Sequence, residues 1–253
     1  MTQPTTATKP KSEKTPIFRV LAYLLLPFIH LVGRYRITGA ENVPATGAFV
    51  VTPNHFSNFD PLVTGYAMWR TGRMPRYLAK ASLFRVPVLG WLLKRAGQVP
   101  VERTGASRNA DPIAAARKIA AAGHALVIYP EGSLTRDPNL WPMRGKSGAV
   151  RTALSADIPL IPMAHWGTQA ILPTYGKGIS LFPPKKVDIV FGPPVDLSAF
   201  RGRPLDGATL MEATAVVMAA ITALVEQLRN EKAPVERWDP AKHNQEETGR
   251  FGS

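Results

Sequence analysis

The chain has 253 residues, 45% of them apolar, enough to bury one substantial core in a single domain. It contains no cysteine, which excludes a disulfide framework, a thiol nucleophile and a Cys-ligated metal, and its five histidines are too scattered to form a metal-ligand pair. A formal net charge of +13 calls for an anionic partner, and without a nucleic-acid module in the sequence that partner is read as a membrane surface.

Residues 1–15 are rich in Thr, Lys and Pro without apolar periodicity and are expected to be a disordered tail. Ile17 to Val32 is apolar apart from Arg19 and His30, with Pro27 as an interruption and basic residues on both flanks. About 16 residues at ~1.5 Å each reach about 24 Å, short of the roughly 30 Å hydrocarbon core. Residues 16–36 therefore read as an apolar, membrane-associating helical segment lying on an anionic leaflet. The competing reading is an N-terminal helix packed on the core.

Ala48 to Val51 is strand-like, and Leu62 to Trp69 is helix-like. In the turn between them, Asp60 before Pro61 reads as an N-cap followed by the first helical residue. Leu83 to Arg95 is a second apolar stretch, in which Trp91 and the flanking Arg85, Lys94 and Arg95 look like an interface belt. Together the two stretches would make a membrane-facing patch. Asp111-Pro112 opens a helix to about Ala122, stopped by Gly123. A strand from Ala125 to Tyr129, a helix near 146–155 and a strand from Pro159 to Ala164 follow. Then come a strand from Val187 to Phe191, a break at Gly192-Pro193-Pro194 and a long helix from Ala208 to Arg229. The alternation predicts an α/β fold, a central mostly parallel sheet flanked by helices. Residues 232–253 read as a loose polar tail.

The chemistry concentrates at predicted strand ends. His55 and Asp60 share one strand-to-helix turn, where the carboxylate can hold the proton on one ring nitrogen and leave the other as a base. Arg103 ends the apolar segment Gly97 to Val101. Glu131-Gly132-Ser133 closes the Ala125 strand, with Arg136 close behind. Such residues look like an active site assembled at one sheet edge.

In this order and spacing, four blocks resemble the 1-acylglycerol-3-phosphate O-acyltransferase family: His55 to Asp60, Gly97 to Arg103, Tyr129 to Ser133, and Ile158 to Met163. The resemblance covers roughly residues 35 to 200. Departures are Pro100, where the family favours an aromatic, Tyr129 in place of a common Phe, and Leu134, set between Ser133 and Thr135-Arg136; they bear on the acceptor pocket. The resemblance implies an acyltransferase domain over 37–231. It also implies transfer of a fatty acyl group from acyl-CoA or acyl carrier protein to 1-acyl-glycerol-3-phosphate, without a cofactor or metal, at the cytoplasmic face of the membrane. His55 would be the general base, Asp60 its orienting carboxylate, and Lys80 a donor to the oxyanion. Arg103, Glu131, Gly132, Ser133 and Arg136 would bind substrate, the guanidinium of Arg103 taking the acceptor phosphate. A nucleophilic Ser133 is the rival, but it lacks the Gly-x-Ser-x-Gly elbow. His165 reads as a core residue or a support behind the site. Other readings are acylation of another lysophospholipid or an acylated sugar lipid, a non-catalytic lipid-binding protein, and a thioester hydrolase.

Overall fold

The structure, a computed structural model, describes residues 13–101, 112–176 and 178–246. In chain order the elements are α1 (Pro16–Val32), β1 (Gly33–Thr38), β2 (Phe49–Pro53), α2 (Asp60–Thr71), β3 (Pro75–Lys80), α3 (Pro87–Arg95) and β4 (Val99–Val101). They continue with α4 (Pro112–Ala121), β5 (Ala125–Val127), α5 (Gly148–Ala156), β6 (Leu160–Trp166), α6 (Thr168–Ile171), β7 (Lys185–Phe191) and α7 (Gly207–Arg229).

The described strands form one sheet in the order β1-β7-β6-β2-β5-β3-β4. Every neighbouring pair is parallel except β6 and β7. β2, built from Phe49, Val50, Val51 and Thr52, is buried at every residue, as expected of a central strand covered on both faces. Alternation splits its side chains. Phe49 and Val51 join Val63, Ala67 and Met68 of α2 on one face, while Val50 joins Ala149 and Ala153 of α5 and Leu210, Val217 and Ile221 of α7 on the other. The expected α/β architecture is what forms.

α7 begins where the Asp206 side chain accepts a hydrogen bond from Thr209 N at 2.8 Å and ends at Asn230 in the left-handed region. It is the one described helix long and apolar enough to cross a membrane. It lies along β6 instead, burying Leu210, Val217, Ile221 and Val225.

Three sequence expectations change. Pro27 does not interrupt α1; it sits on the exposed side, where water can replace the bond lost to the carbonyl of the exposed Tyr23. Residues 13–15, expected as part of a disordered tail, are tied down: the buried Arg73 pairs with Glu13 at 2.6 Å, and Met74 N donates to the same carboxylate at 3.1 Å. Nor is 232–246 loose. Ala233 N donates to Glu226 Oε1 at 2.8 Å, Arg144 N donates to Trp238 O at 2.9 Å, and Trp238 stacks on His243. Residues 247–253 lie outside the described set.

α1 packs on the core along one side and leaves apolar residues exposed along the other. Phe18, Ile29 and Val32 are buried, while Val20, Tyr23, Leu24 and Leu31 are exposed. With α2 and α3 it walls an apolar groove of about 400 Å³, lined by Leu25, Ile29, Leu62, Trp69, Leu92 and others.

Candidate active site

The site lies at the carboxyl ends of β5, β2 and β6, the edge where open α/β sheets place their ligands. The turn leaving β2 brings His55 back toward the start of α2, and His55 Nδ1 lies 2.9 Å from Asp60 Oδ2. Asp60 is the first residue of α2 rather than its cap, which is Phe59. Instead of capping the helix, its carboxylate reaches back into the turn. Oδ2 accepts from Phe56 N at 2.6 Å and Ser57 N at 2.8 Å as well as from His55.

Asp60 is fully buried. Burial alone would raise its pKa, but the neighbouring His165 and His55 and the hydrogen bonds from His55 and Ser57 N outweigh it, so the carboxyl sits below its usual range. An ionised carboxylate can only accept, so Nδ1 of His55 carries the proton and Nε2 keeps its lone pair. The His55 ring stacks on Tyr129 with centroids 4.2 Å apart, and 15% of its side chain is exposed. One edge of the base is locked and the other opens outward.

The β5 exit braces this turn. Glu131 Oε1 accepts from His55 N at 2.9 Å, and its Oε2 accepts from Met143 N at 3.0 Å. Thr135 N donates to His55 O at 2.8 Å. Burial pushes the Glu131 carboxyl up to about 8, against the pull of those two N–H donors. Ser57 Oγ accepts from Phe59 N at 3.0 Å and donates to Leu172 O at 2.6 Å; this is the bracing that its position in the turn predicts.

A second histidine stands behind the first. His165, on β6, is fully buried with Nε2 3.7 Å from Asp60 Oδ2 and 3.1 Å from the carbonyl of Asn54. A carbonyl cannot donate, so Nε2 of His165 bears the proton. Burial holds its pKa low despite the carboxylate nearby, so the ring is neutral and aims an N–H dipole past Asp60. Asn54 clips the exits of β2 and β6 together: its Oδ1 accepts from His165 N at 2.9 Å and its Nδ2 donates to His165 O at 3.1 Å.

The other predicted residues divide. Glu131 is wholly enclosed and spends both oxygens on the main chain. Gly132 adopts φ 73°, the left-handed region that favours glycine, and its N–H donates to Tyr129 O at 3.1 Å. That N–H is thus committed within the turn itself. Ser133 Oγ donates to Leu134 O at 3.3 Å. Arg136 is buried, with its guanidinium 4.8 Å from the ring centre of Tyr175. Lys80 ends β3, next to β5, but its side chain is not among those described. Arg103 lies outside the described residues.

The sequence did not single out Asn54. Its only signal was its place directly before His55. His165 lies buried behind Asp60, within what its sequence reading as a core or supporting residue allowed.

The sequence pattern of the Acyltransferase family matches residues 34–166. A chloroplastic 1-acyl-sn-glycerol-3-phosphate acyltransferase of Brassica napus is 29% identical over 143 residues, covering 56% of this chain and 40% of the relative. The chain thus spans well under half of that plant protein. A 1-acyl-sn-glycerol-3-phosphate acyltransferase of Bacillus subtilis is 28% identical over 219 residues, covering 85% of this chain and 98% of the relative. The crystal structure of the 1-acyl-sn-glycerophosphate acyltransferase PlsC from Thermotoga maritima superposes with a TM-score of 0.66 at 21% identity. It covers 88% of this chain and 83% of that one, a shared fold. With the family pattern spanning more than half of its length, including the His55 turn and the Glu131 turn, this chain belongs to the Acyltransferase family.

Proposed function

We propose that the protein transfers a fatty acyl group from a thioester donor, acyl-CoA or acyl carrier protein, to the free hydroxyl of 1-acyl-glycerol-3-phosphate, giving phosphatidic acid. The observation that carries this reading is His55, with Nδ1 tied to a buried carboxylate and Nε2 left as a base beside the stacked Tyr129. The names of the Brassica and Bacillus relatives supply the acceptor.

In the reaction, His55 Nε2 removes the proton as the acceptor oxygen attacks the thioester carbonyl carbon. The tetrahedral intermediate then expels the thiolate, which recovers that proton from the imidazolium. The hydroxyl O–H and carbonyl C–S bonds break, an ester C–O bond and a thiol S–H bond form, and His55 ends as it began. General-base help of this kind is worth about 10²–10⁴-fold. Asp60 stabilises the transient imidazolium, as the carboxylate of a serine-protease triad does. The substrate alcohol takes the place of the triad serine, so no acyl-enzyme forms. Lys80 is assigned to the oxyanion and Arg103 to the acceptor phosphate, with Ser133 and Arg136 as further substrate-binding residues. Glu131 and Gly132 serve the acceptor by fixing the shape of the turn.

The apolar groove beside α1 supports a lipid acceptor, and the exposed Tyr23, Leu24, Val88 and Trp91 support residence on a bilayer. With the +13 net charge, we place the protein as a peripheral or monotopic enzyme on the anionic, cytoplasmic face of the membrane. The test is an acyl-transfer assay with palmitoyl-CoA and lysophosphatidic acid, beside His55→Ala. Phosphatidic acid formation by the native protein, lowered at least about 10²-fold in the variant, is expected. Thiol release that does not depend on lysophosphatidic acid would overturn this reading in favour of hydrolysis or another acceptor.

A further inference from the structure

On the face of the sheet that carries α5 and α7, a second cavity of about 540 Å³ lies behind Glu131. Apart from Glu131 and Met143 it shares no residue with the site described above. Its lining includes Arg144, Lys146, Arg151, Arg237 and Lys242 against only Glu131 and Asp239. Arg144 is engaged by Asp239 at 3.5 Å and Lys242 by Glu236. Arg151 makes no ion pair among the described residues, and Arg237 is half-buried beside Glu131. With its carboxyl held up near 8, Glu131 contributes little negative charge at neutral pH. A net positive concavity results, and the N-terminal turn of α5 at Ser147 opens onto it.

The lining also includes the apolar Met143, Leu210, Met211 and Met218, of which the first two and the last are buried in the core. Met211 is 67% exposed, an unusual position for a long apolar side chain beside a charged rim. The volume falls within the roughly 300–1,000 Å³ range of small-molecule sites and far exceeds what one inorganic phosphate fills. Cations together with an exposed thioether suit a ligand with phosphate at one end and a flat aromatic group at the other, since methionine sulfur packs well against aromatic rings. Glu131, whose two oxygens hold His55 N and Met143 N, is among the lining residues, so the cavity adjoins the element that braces the His55 turn.

We propose that this cavity binds a nucleoside phosphate, its phosphates on Arg151 and Arg237 and its base against Met211. The source of that nucleotide is either a free nucleotide or the nucleotide end of a coenzyme thioester.

The test is calorimetric titration of the full-length protein with ADP at low salt, with inorganic phosphate and glycerol 3-phosphate as comparison probes. ADP is expected to bind, and Arg151→Ala to weaken it at least about tenfold. Arg201→Ala, which removes an exposed charge elsewhere on the surface, should leave binding unchanged. Met211→Glu is a second, exposed variant, expected to weaken ADP while leaving any phosphate binding less affected; thermal midpoints check that each variant is folded. Displacement of ADP by coenzyme A would assign the site to the donor, and failure of coenzyme A to displace it would assign it to a free nucleotide. The proposal is overturned if ADP does not bind, if Arg201→Ala weakens it as much as Arg151→Ala, or if phosphate and glycerol 3-phosphate bind as well as ADP. Because ADP carries no acyl group, this outcome stands apart from the acyl-transfer reading.

Discussion

Replacing Asp60 by Asn separates the charge of the buried carboxylate from its shape. Oδ2 takes all three donors, His55 Nδ1, Phe56 N and Ser57 N, while Oδ1 has no hydrogen-bond partner among the described residues. An asparagine oxygen can occupy the Oδ2 position and keep every donor, its amide nitrogen falling where Oδ1 was. What disappears is the negative charge facing the imidazolium in the transition state. Unit charges roughly 4 Å apart at an effective dielectric near 20 attract by about 4 kcal/mol, or about 10³ in rate. Asp60→Asn should therefore lower kcat about 10³-fold with little change in KM, read by continuous thiol release with saturating lysophosphatidic acid. A second readout is stability against pH. The folded pKa of Asp60 is depressed, so its contribution is present above the unfolded value near 4 and is lost as pH falls through the folded value. The variant should lack that component of acid destabilisation in urea titrations between about pH 5 and 2. A variant that keeps more than a tenth of kcat would refute the role given to the carboxylate, as would one that loses activity only because it unfolds.

Three other outcomes follow from the same geometry. Glu131→Gln puts an amide NH₂ against one of two N–H donors and should cost about 1–3 kcal/mol near pH 6 in urea unfolding. Because the folded Glu131 carboxyl is raised to about 8, its contribution is full below its unfolded value and lost as pH rises through about 8. The gap between native protein and variant should therefore narrow from pH 5.5 to 8.5, and a constant gap would contradict the assignment. His165→Phe removes the donor to Asn54 O and the dipole beside Asp60, so kcat should fall about tenfold or more with KM unchanged and the acid limb of the kcat–pH profile moved upward; a parallel loss of kcat and stability with no pH change would make His165 merely structural. Tyr23→Asp with Leu24→Asp, both on the exposed side of α1, should abolish cosedimentation with anionic vesicles without shifting the thermal midpoint.

Local chemistry made much of this molecule legible in its sequence. Val50-Val51 and Leu126-Val127 read as buried strands because β-branched and apolar runs have few other places to go. His55, Asp60 and Glu131 stood out because polar groups at the ends of such runs call for a reason. Asp60 was misread as a cap since the rule for Asp before Pro describes a helix start, whereas here three donors in the preceding turn compete for the same carboxylate and win. The partnership of His165 with Asp60 depends on β6 lying beside β2, a long-range pairing that periodicity does not specify. The packing of 232–246 likewise depends on Trp238 and Ala233 finding Arg144 and Glu226, which hydrophilic composition concealed. Of the positions assigned to the phosphate and the oxyanion, Arg103 and the Lys80 side chain lie outside the described residues, so their assignments rest on the sequence alone.

The turn that carries His55 emerges early in synthesis, yet what holds it arrives late. Glu131 follows 76 positions on, His165 sits 111 positions beyond Asn54, and the Thr174 hydroxyl reaching Phe56 O comes 118 positions after it. Each contact closes a long loop, and such contacts form only once the intervening chain has ordered. A ribosome-bound nascent chain therefore carries His55 and Asp60 side by side long before the contacts that fix their turn can form. The final geometry of that turn is thus set only when β6 and the segment after it have docked.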